Sequence, residues 1–211
     1  MPDTPLEVRD LGRADYRPTL ASMREAVDER ANGQRADQLW LVEHEGVYSA
    51  GRRTDASDWT APGTELIQVE RGGRSTWHGP GQVVAYPIVA LVGRGRDLHA
   101  WLRFLEDVII ATLSDFGLDG ERDPDGTGVF VERRKIASIG IAVRRWVSFH
   151  GLALNVDPDI GAFAAIRPCG FDALRMTSLA RELGHDATPS FDEVKQALAR
   201  TFARLWLRYP L

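Results

Sequence analysis

The chain has 211 residues, of which 44% are hydrophobic and 27% are charged, values that are ordinary for a globular protein. We therefore expect a single domain over residues 1–211. The net charge of −4 and the pI of about 5.8 exclude a basic surface over the whole protein for nucleic acid. A single cysteine excludes an intramolecular disulfide and a cysteine-rich zinc site.

The N-terminal residues show no basic segment followed by an apolar run, and no uncharged stretch is long enough to span a membrane. The five histidines lack the spacing of a metal-binding motif, so we expect no metal site. These features predict a cytoplasmic protein that binds neither nucleic acid nor a membrane.

Hydrophobic periodicity predicts the first half of the chain as one helix followed by strands. The helix is expected over residues 18–31, where Leu20, Met23 and Val27 share one face. Strands are expected over residues 38–45, 65–70 and 82–91. Pro87 suggests that the last of these is an edge strand or contains a bulge, because proline cannot donate a hydrogen bond to a neighbouring strand.

The second half of the chain predicts two more helices with strands between them. One helix begins after an Asp97 cap and ends at Phe116, and the last begins at the capping box of Ser190 and Glu193 and runs to about Leu207. Three consecutive strands are expected over residues 128–132, 135–144 and 147–156. Strands in runs with helices on the flanks predict an α+β fold with one mixed, largely antiparallel sheet covered by helices.

Residues 71–82 form a glycine-rich segment, Arg-Gly-Gly-Arg-Ser-Thr-Trp-His-Gly-Pro-Gly-Gln. Glycines allow backbone N–H groups to approach a ligand closely, and Thr76 and His78 add polar groups. The segment lacks the pattern of a phosphate-binding loop. On composition alone, a plain surface turn between two strands is the more common explanation.

Three further residues are candidates for chemistry. Lys135 is one of only two lysines among 26 basic residues, and a lysine where arginine is the usual cation indicates a group that can lose its proton. Cys169 lies between Pro168 and Gly170, in a turn that can present a thiol. The commoner explanations are a strand lysine that reaches solvent, an inert buried thiol and, for His150, a core histidine.

Taken together, these segments resemble the lipoyl(octanoyl) transferase family. The resemblance covers the chain from about Val42 to Leu179. It rests on motifs that occur in this order: Glu43-His-x-x-Val-Tyr-x-x-Gly51, Arg71-Gly-Gly-x-x-Thr-Trp-His-Gly-Pro-Gly-Gln82, Lys135-Ile-Ala-x-Ile-Gly140, His150-Gly-x-Ala-Leu-Asn155, Pro168-Cys-Gly170 and Met176-Thr-Ser-Leu179.

The resemblance implies the fold of the lipoate and biotin protein ligases, and it assigns roles to residues. Cys169 would be the nucleophile that forms an acyl thioester, and Lys135 would lower the pKa of this thiol and carry protons. Three segments would line the substrate site: Arg71, Gly72, Gly73, Arg74, Ser75, Thr76, Trp77 and His78; Ser138, Ile139 and Gly140; and Gly151, Leu152 and Ala153.

The resemblance also implies the reaction and its partners. An octanoyl group would move from octanoyl-acyl carrier protein to a lysine of a lipoyl domain, in a 2-oxoacid dehydrogenase or in the glycine cleavage H protein, without a cofactor. Backbone N–H groups near residues 79–81 or Gly170 are candidate oxyanion donors. Because acyl carrier proteins are acidic, exposed arginines are candidates for docking. They are Arg52, Arg53, Arg71, Arg74, Arg144 and Arg145, with a structural role as the alternative for Arg71.

Two other functions fit parts of this pattern. An ATP-dependent lipoate or biotin ligase would share the fold and a lysine, but it would require a nucleotide site, for which the sequence shows no motif. A module that binds lipoyl domains without catalysis would leave the Cys169 thiol idle. Formation of an acyl adenylate would identify the first, and absence of an acyl adduct on Cys169 would identify the second.

Overall fold

The computed structural model describes residues 6–58, 65–123, 126–166 and 175–209. Seven strands form its main sheet: β1 (Glu7–Ala14), β2 (Gln38–His44), β6 (Gln82–Ala90), β7 (Glu121–Asp123), β8 (Gly126–Val131), β9 (Arg134–Arg144) and β10 (Val147–Asn155). Their order across the sheet is β1-β2-β6-β10-β9-β8-β7. Strands β1 and β2 are parallel, and the other neighbouring pairs are antiparallel. The sheet is therefore mixed and largely antiparallel, as predicted.

Three short strands form a second sheet, so the expectation of one sheet is wrong. They are β3 (Val47–Ala50), β4 (Leu66–Gln68) and β5 (Ser75–His78), with β3 in the middle. Strand β5 lies inside the glycine-rich segment that composition assigns to a turn. Its four residues are flanked by glycines, so the run is too short for its pattern to predict a strand.

Four helices cover the main sheet: α1 (Tyr16–Ala31), α2 (Leu98–Ser114), α3 (Leu179–Leu183) and α4 (Phe191–Trp206). The two predicted caps are confirmed. The carboxylate of Asp97 accepts hydrogen bonds from the N–H groups of His99 and Ala100, and Ser190 forms a capping box with Glu193. These caps satisfy N–H groups at the first turns of α2 and α4, which otherwise have no partner in the helix.

Side chains that alternate along the central strands separate two apolar cores. On β6, Val83, Ala85 and Val89 pack with α2 and α4, whereas the intervening Val84 and Ile88 pack with α1. Successive side chains of a strand point to opposite faces, so each central strand contributes to both cores. This explains why β2, β6 and β10 are apolar along nearly their whole length.

Pro87 lies in a central strand, and the edge position suggested by the sequence is wrong. Strand β6 is hydrogen-bonded to β2 on one side and to β10 on the other. Pairing with β10 is recorded from Ser148 to Val89 and resumes from Leu152 to Ala85, so the ladder is interrupted beside Pro87. A Cβ on Gly151 would lie 2.6 Å from the Cδ of Pro87. The sheet thus accommodates the proline ring with a glycine on the facing strand.

Candidate active site

Lys135 lies at the beginning of β9 and is 1% exposed. Its Nζ donates a hydrogen bond to the carbonyl of Thr127 on β8, at 2.7 Å, and lies 5.4 Å from the centre of the Phe130 ring. A Cβ on Gly128 would lie 2.9 Å from the Lys135 Cε and 3.2 Å from its Nζ. Gly128 therefore provides the space that this ammonium side chain occupies. The alternative of a lysine that reaches solvent is wrong.

The backbone of Lys135 contacts the chain that follows the cysteine. Lys135 and Met176 form a parallel bridge, and the N–H of Thr177 donates to the Lys135 carbonyl at 2.9 Å. Ile166 and Met176 belong to one buried apolar cluster, together with Trp77, Ile160 and Phe163. The ends of the segment that contains Cys169 are thus fixed in one cluster. Cys169, like Gly170, lies outside the described residues.

The Arg71 guanidinium is largely buried and binds the polypeptide around it. Its Nη2 donates to the carbonyl and the hydroxyl of Ser49, and its Nη1 donates to the carbonyls of Gly72 and Arg74. These bonds fix the turn before β5 onto β3. Arg71 therefore has an architectural role in addition to any contact with substrate, and it is not exposed for docking.

The three predicted substrate segments converge on one small pocket, which we call the inner pocket. It is lined by Tyr16, Arg71, Gly73, Arg74, Thr76, His78, Val84, Tyr86, Ser138, Ile139, Gly140, His150, Gly151, Leu152 and Ala153. Its volume is about 40 Å³. That is room for only a few water molecules, so a longer ligand requires side chains to move.

Three of the predicted residues do not line the inner pocket. Gly72 lines a neighbouring pocket, and Ser75 is fully buried in β5. Trp77 packs its ring against Phe163, with the ring centroids 5.6 Å apart, in the same cluster as Ile166 and Met176. Trp77 thus supports the polypeptide on either side of the cysteine segment.

Two glycines of the inner pocket are small because of their protein neighbours. A Cβ on Gly140 would lie 3.0 Å from the Cδ of Arg71, and one on Gly151 would lie 2.2 Å from the Ala85 carbonyl oxygen. Small residues beside a substrate site can also leave room for an elongated ligand. The close packing of Arg71 and of β6 is a sufficient reason for both glycines.

The turn at residues 79–81 is occupied by structural bonds. The N–H of Gly81 donates to the Glu43 carboxylate at 2.8 Å, and its carbonyl accepts from the N–H groups of Val156 and Asp157. Pro80 has no N–H group. The suggestion that Gly81 donates to an oxyanion is therefore wrong, because its N–H is already bound.

Burial keeps the histidines around the inner pocket neutral. Desolvation, followed by the nearby His44 and Arg71, lowers the pKa of His78 to about 3. Desolvation also lowers the pKa of His44 and of His150. A neutral imidazole has one nitrogen that donates and one that accepts a hydrogen bond.

His150 combines burial with an uncommon backbone conformation. Its φ of 55° lies in the left-handed region, which is uncommon for residues other than glycine, although histidine adopts it more often than most of them. Its Nε2 has no hydrogen-bond partner among the described residues and lies 3.7 Å from Glu70 Oε2. Backbone strain and an unsatisfied buried nitrogen are features that cluster at functional sites. The sequence favoured a core histidine, whereas the structure places it in the pocket wall.

A larger pocket of about 540 Å³, which we call the outer pocket, adjoins the inner one. The two share Gly73, Arg74, Ile139 and Gly140. The outer pocket also includes Thr127, whose carbonyl holds Lys135, and the exposed Arg53 and Arg103. Neither of these two arginines forms an ion pair with a described residue. The outer pocket thus lies between the inner pocket and the carbonyl that binds Lys135. Arg53 and Arg103 form a basic part of its rim, and Glu106 and Asp123 also line it.

Sequence reasoning missed three residues that line the inner pocket, Tyr16, Val84 and Tyr86, and it considered His150 as a candidate without assigning it to the site. Tyr16 begins α1, and Val84 and Tyr86 are alternate residues of β6, so only tertiary packing brings them to the site. A polar residue in an otherwise apolar strand, such as Tyr86, was the one available signal. Within the described residues there is no cluster suited to a metal ion and no helix long and apolar enough to cross a membrane.

Comparison with known proteins identifies the class to which this fold and site belong. A family model described as the lipoyl protein ligase A/B catalytic domain matches residues 15–203. The chain belongs to this family. A solved lipoate-protein ligase A bound with ATP superposes with a TM-score of 0.74 at 18% identity, covering 95% of this chain and 85% of that one. A biotin protein ligase from Aquifex aeolicus gives 0.53 at 10% identity, covering 95% and 67%. These similarities confirm the predicted lipoate and biotin ligase fold.

More similar relatives define the branch of the family. An octanoyltransferase from Geobacter sulfurreducens is 42% identical over 200 residues, covering 95% of this chain and 84% of the relative. One from Mycobacterium tuberculosis H37Rv is 43% identical over 197 residues, covering 92% and 84%. The chain is a member of the octanoyltransferases, and it is an acyltransferase. The predicted family is confirmed.

Proposed function

We propose that this acyltransferase moves an octanoyl group from octanoyl-acyl carrier protein to the ε-amine of a lysine on a lipoyl domain, a step of lipoate biosynthesis. The acyl group passes through a thioester on Cys169, with Lys135 as the partner of the thiol. The acceptors are the lipoyl domains of 2-oxoacid dehydrogenases and the glycine cleavage H protein. The observation that carries the proposal is the connection of the inner pocket, through the outer pocket, to the carbonyl that holds Lys135.

The chain connectivity supports a pairing of Cys169 with Lys135. Cys169 is three residues from Ile166, which limits the separation of their Cα atoms to about 10 Å. Ile166 packs in one cluster with Met176, and Met176 is bridged to Lys135. A buried ammonium close to a thiol favours the thiolate, which is the nucleophilic form.

The reaction consists of two acyl transfers. In the first, the Cys169 thiolate attacks the donor thioester. The bond from the acyl carbon to the Cys169 sulfur forms, the bond to the carrier sulfur breaks, and the carrier leaves as a thiol after taking up a proton. In the second, the lysine amine attacks, a carbon–nitrogen bond forms, and Cys169 leaves as a thiolate while the amine loses a proton. An amide is more stable than a thioester, so the sequence of steps needs no ATP.

The two pockets suit the acyl chain and the thioester end of this donor. The inner pocket is lined by Val84, Ile139, Leu152 and Ala153 together with polar side chains, and an acyl chain enters it only when these side chains move. The outer pocket is wider and is lined by Thr127, whose carbonyl binds Lys135, so the thioester would react on this side. The basic rim at Arg53 and Arg103 faces the side from which an acidic carrier approaches.

A transfer assay with defined donors tests the proposal. Purified protein is mixed with an unmodified lipoyl domain and either octanoyl-acyl carrier protein or octanoate with ATP and Mg²⁺, and the mass of the lipoyl domain is followed. We expect octanoylation with the carrier donor only. Modification with octanoate and ATP, and none with the carrier donor, would indicate a ligase and contradict the proposal.

A further inference from the structure

A chain of hydrogen bonds fixes which nitrogen of His78 carries the proton. The Thr177 carbonyl can only accept, so the group of Asn155 that faces it at 2.8 Å is the Nδ2 amide. Asn155 Oδ1 then accepts from Gln82 Nε2 at 2.9 Å. Gln82 Oε1 therefore faces His78 Nδ1 at 3.2 Å, and the imidazole must carry its proton on Nδ1.

A second chain fixes the hydroxyl of Tyr86 in the same way. The Ala14 carbonyl can only accept, so His44 Nδ1, at 2.9 Å, carries the proton. Neutral His44 then accepts at Nε2, and the Tyr86 hydroxyl donates to it at 2.8 Å. The one proton of the Tyr86 hydroxyl is thus already used within the protein.

Both chains have the same consequence for the inner pocket. His78 Nε2 carries a lone pair and forms no hydrogen bond with another described residue, and the Tyr86 oxygen has lone pairs but no free proton. His78 and Tyr86 line the inner pocket and do not line the outer one. An acyl chain with its thioester near Lys135 and its tail in the inner pocket would therefore meet hydrogen-bond acceptors. The hydroxyls of Tyr16, Thr76 and Ser138 can donate or accept, so they do not discriminate between tails. The donors of the lining are directed elsewhere: both Nη groups of Arg71 bind the polypeptide around it, and His150 Nε2 faces Glu70 Oε2 at 3.7 Å. Arg74 lies where the two pockets meet, and its Nη1 is bound to Asp58.

We infer that His78 and Tyr86 determine specificity at the tail of the acyl chain, and that the enzyme also transfers acyl groups whose tail carries a hydrogen-bond donor, such as a hydroxyl. Chains of the same size whose tail carries only an acceptor, such as a ketone, are transferred poorly. The inference rests on the proposed function. The transfer itself is unchanged: the acyl carbon exchanges its sulfur partner for nitrogen, and the tail hydroxyl takes no part in bond formation.

The physical reason is the free energy that is lost when two hydrogen-bond acceptors face each other. A hydroxyl tail gives its proton to His78 or Tyr86, whereas a ketone in the same place leaves two acceptors facing each other without water. A single neutral hydrogen bond changes binding by about fivefold to tenfold. The expected preference is therefore of that size.

The test uses the matched donors 7-hydroxyoctanoyl and 7-oxooctanoyl carrier protein, with octanoyl carrier protein as the reference. We expect wild-type kcat/KM for the hydroxy donor to exceed that for the oxo donor by about fivefold to tenfold. Gln82→Met removes the acceptor that holds the Nδ1 proton of His78, so its ratio should fall clearly below the wild-type ratio. Gln34→Met, the same change at an exposed position, is the matched control and should keep the wild-type ratio.

Two further measurements keep the result interpretable if Gln82→Met does not fold. Tyr86→Phe removes one acceptor and should bring the ratio of kcat/KM for the hydroxy and oxo donors closer to one. Two-bond ¹⁵N–¹H correlation spectra of the wild-type protein report the His78 tautomer directly, and we expect a proton on Nδ1. A proton on Nε2, or equal kcat/KM for the two donors in a protein that transfers octanoyl groups, would overturn the inference. Failure to transfer the octanoyl reference would instead contradict the proposed function.

Discussion

Of the described residues, Lys135 has the surroundings that most clearly indicate a chemical role. A charged side chain is costly to bury without partners, yet Lys135 is 1% exposed. The Thr127 carbonyl binds its Nζ, and Gly128 leaves the space for its side chain. This arrangement holds the amine in one place, as the proposed role of Lys135 as a proton carrier requires.

Substitution of Lys135 tests its role toward Cys169. Lys135→Met removes the cation, so the pKa of the Cys169 thiol should rise toward the ordinary value of about 8.5, and alkylation by iodoacetamide should require higher pH. Lys135→Arg keeps the charge and should retain part of the thiol reactivity. It should still lower the rate of octanoyl transfer by about 100-fold, because arginine does not give up its proton. An alkylation profile of Lys135→Met that coincides with wild type would contradict the role.

Gly128 provides a second test at the scale of one residue. Gly128→Ala places a Cβ 2.4 Å from the Ala137 carbonyl oxygen and displaces Lys135, so it should destabilise the protein and lower the transfer rate of the folded fraction. Gly12 also has a positive φ, but nothing lies within 4 Å of its Cβ position. Gly12→Ala should therefore cost only the backbone strain, about 1 kcal/mol. In urea denaturation, the free energy of unfolding of Gly128→Ala should be lower than that of Gly12→Ala by roughly 2 kcal/mol. Equal losses would mean that Gly128 does not shape the Lys135 site.

The sequence predicts features that depend on residues close together in the chain. It does not predict features that depend on contacts between distant residues. The strand that begins near Lys135 and the caps at Asp97 and Ser190 follow from adjacent residues. Tyr16 reaches the inner pocket only because α1 packs on β6 and β10. The Gly81 N–H is consumed by Glu43, which lies 38 positions away, and no local pattern reports such a bond.

At the scale of elements, exposure explains two of the strands that the sequence did not predict, β1 and β7. Strand β1 is mostly exposed and lies at the edge of the main sheet, so its residues show no apolar alternation. Strand β7, at the other edge, has three residues and is also mostly exposed. The central strands, which are apolar on both faces, were predicted to within a few residues. The hydrophobic pattern therefore predicts the strands that build the core. The exposed edge strands form because they pair with a neighbouring strand of the sheet.

The histidines packed between α1 and the main sheet predict a dependence of stability on pH. In the folded protein the pKa of His78 is about 3, whereas an unfolded histidine takes up a proton near 6.5. The unfolded state therefore binds more protons as the pH falls below 6.5, and the free energy of unfolding decreases. His78 alone contributes up to about 1.4 kcal/mol per pH unit as the pH falls from 6.5 to about 5.5, where the glutamates of the unfolded chain are still largely ionised. His44 and His150 act in the same direction.

Urea denaturation at several pH values measures this slope. His78→Gln should reduce the slope by about one histidine contribution, whatever it does to the stability at pH 7. A wild-type stability that stays constant from pH 6.5 to about 5.5 would contradict the description of these histidines as buried and neutral.

At the scale of the whole molecule, the arginines proposed for docking divide into two groups. Arg144 lies 3.3 Å from both carboxylate oxygens of Asp28, and Arg145 donates to Asn32 Oδ1 at 2.7 Å. These two arginines bind α1. Arg53 is exposed at the rim of the outer pocket and forms no ion pair with a described residue, as is also true of Arg103. The surface that we propose for docking of an acidic carrier protein is therefore centred on the outer pocket.

Charge reversal distinguishes the two groups of arginines. Arg53→Glu with Arg103→Glu should raise the KM for octanoyl-acyl carrier protein several-fold and leave transfer from a small octanoyl thioester nearly unchanged. The wild-type advantage should shrink as salt rises, because exposed charges are screened over about 8 Å at physiological ionic strength. Arg144→Glu with Arg145→Glu should instead lower the melting temperature. Equal losses with both donors for the Arg53 and Arg103 variant would place these residues in the reaction itself.

The central claim is that the acyl group passes through Cys169, and mass spectrometry of the loaded protein tests it most directly. The protein is incubated with octanoyl-acyl carrier protein without a lipoyl domain, digested and mapped. We expect one octanoyl group on the peptide that contains Cys169, its loss on addition of the lipoyl domain, and no adduct or transfer in Cys169→Ser. Octanoylation of the lipoyl domain at an undiminished rate by Cys169→Ser, without any adduct on the wild-type enzyme, would contradict the account.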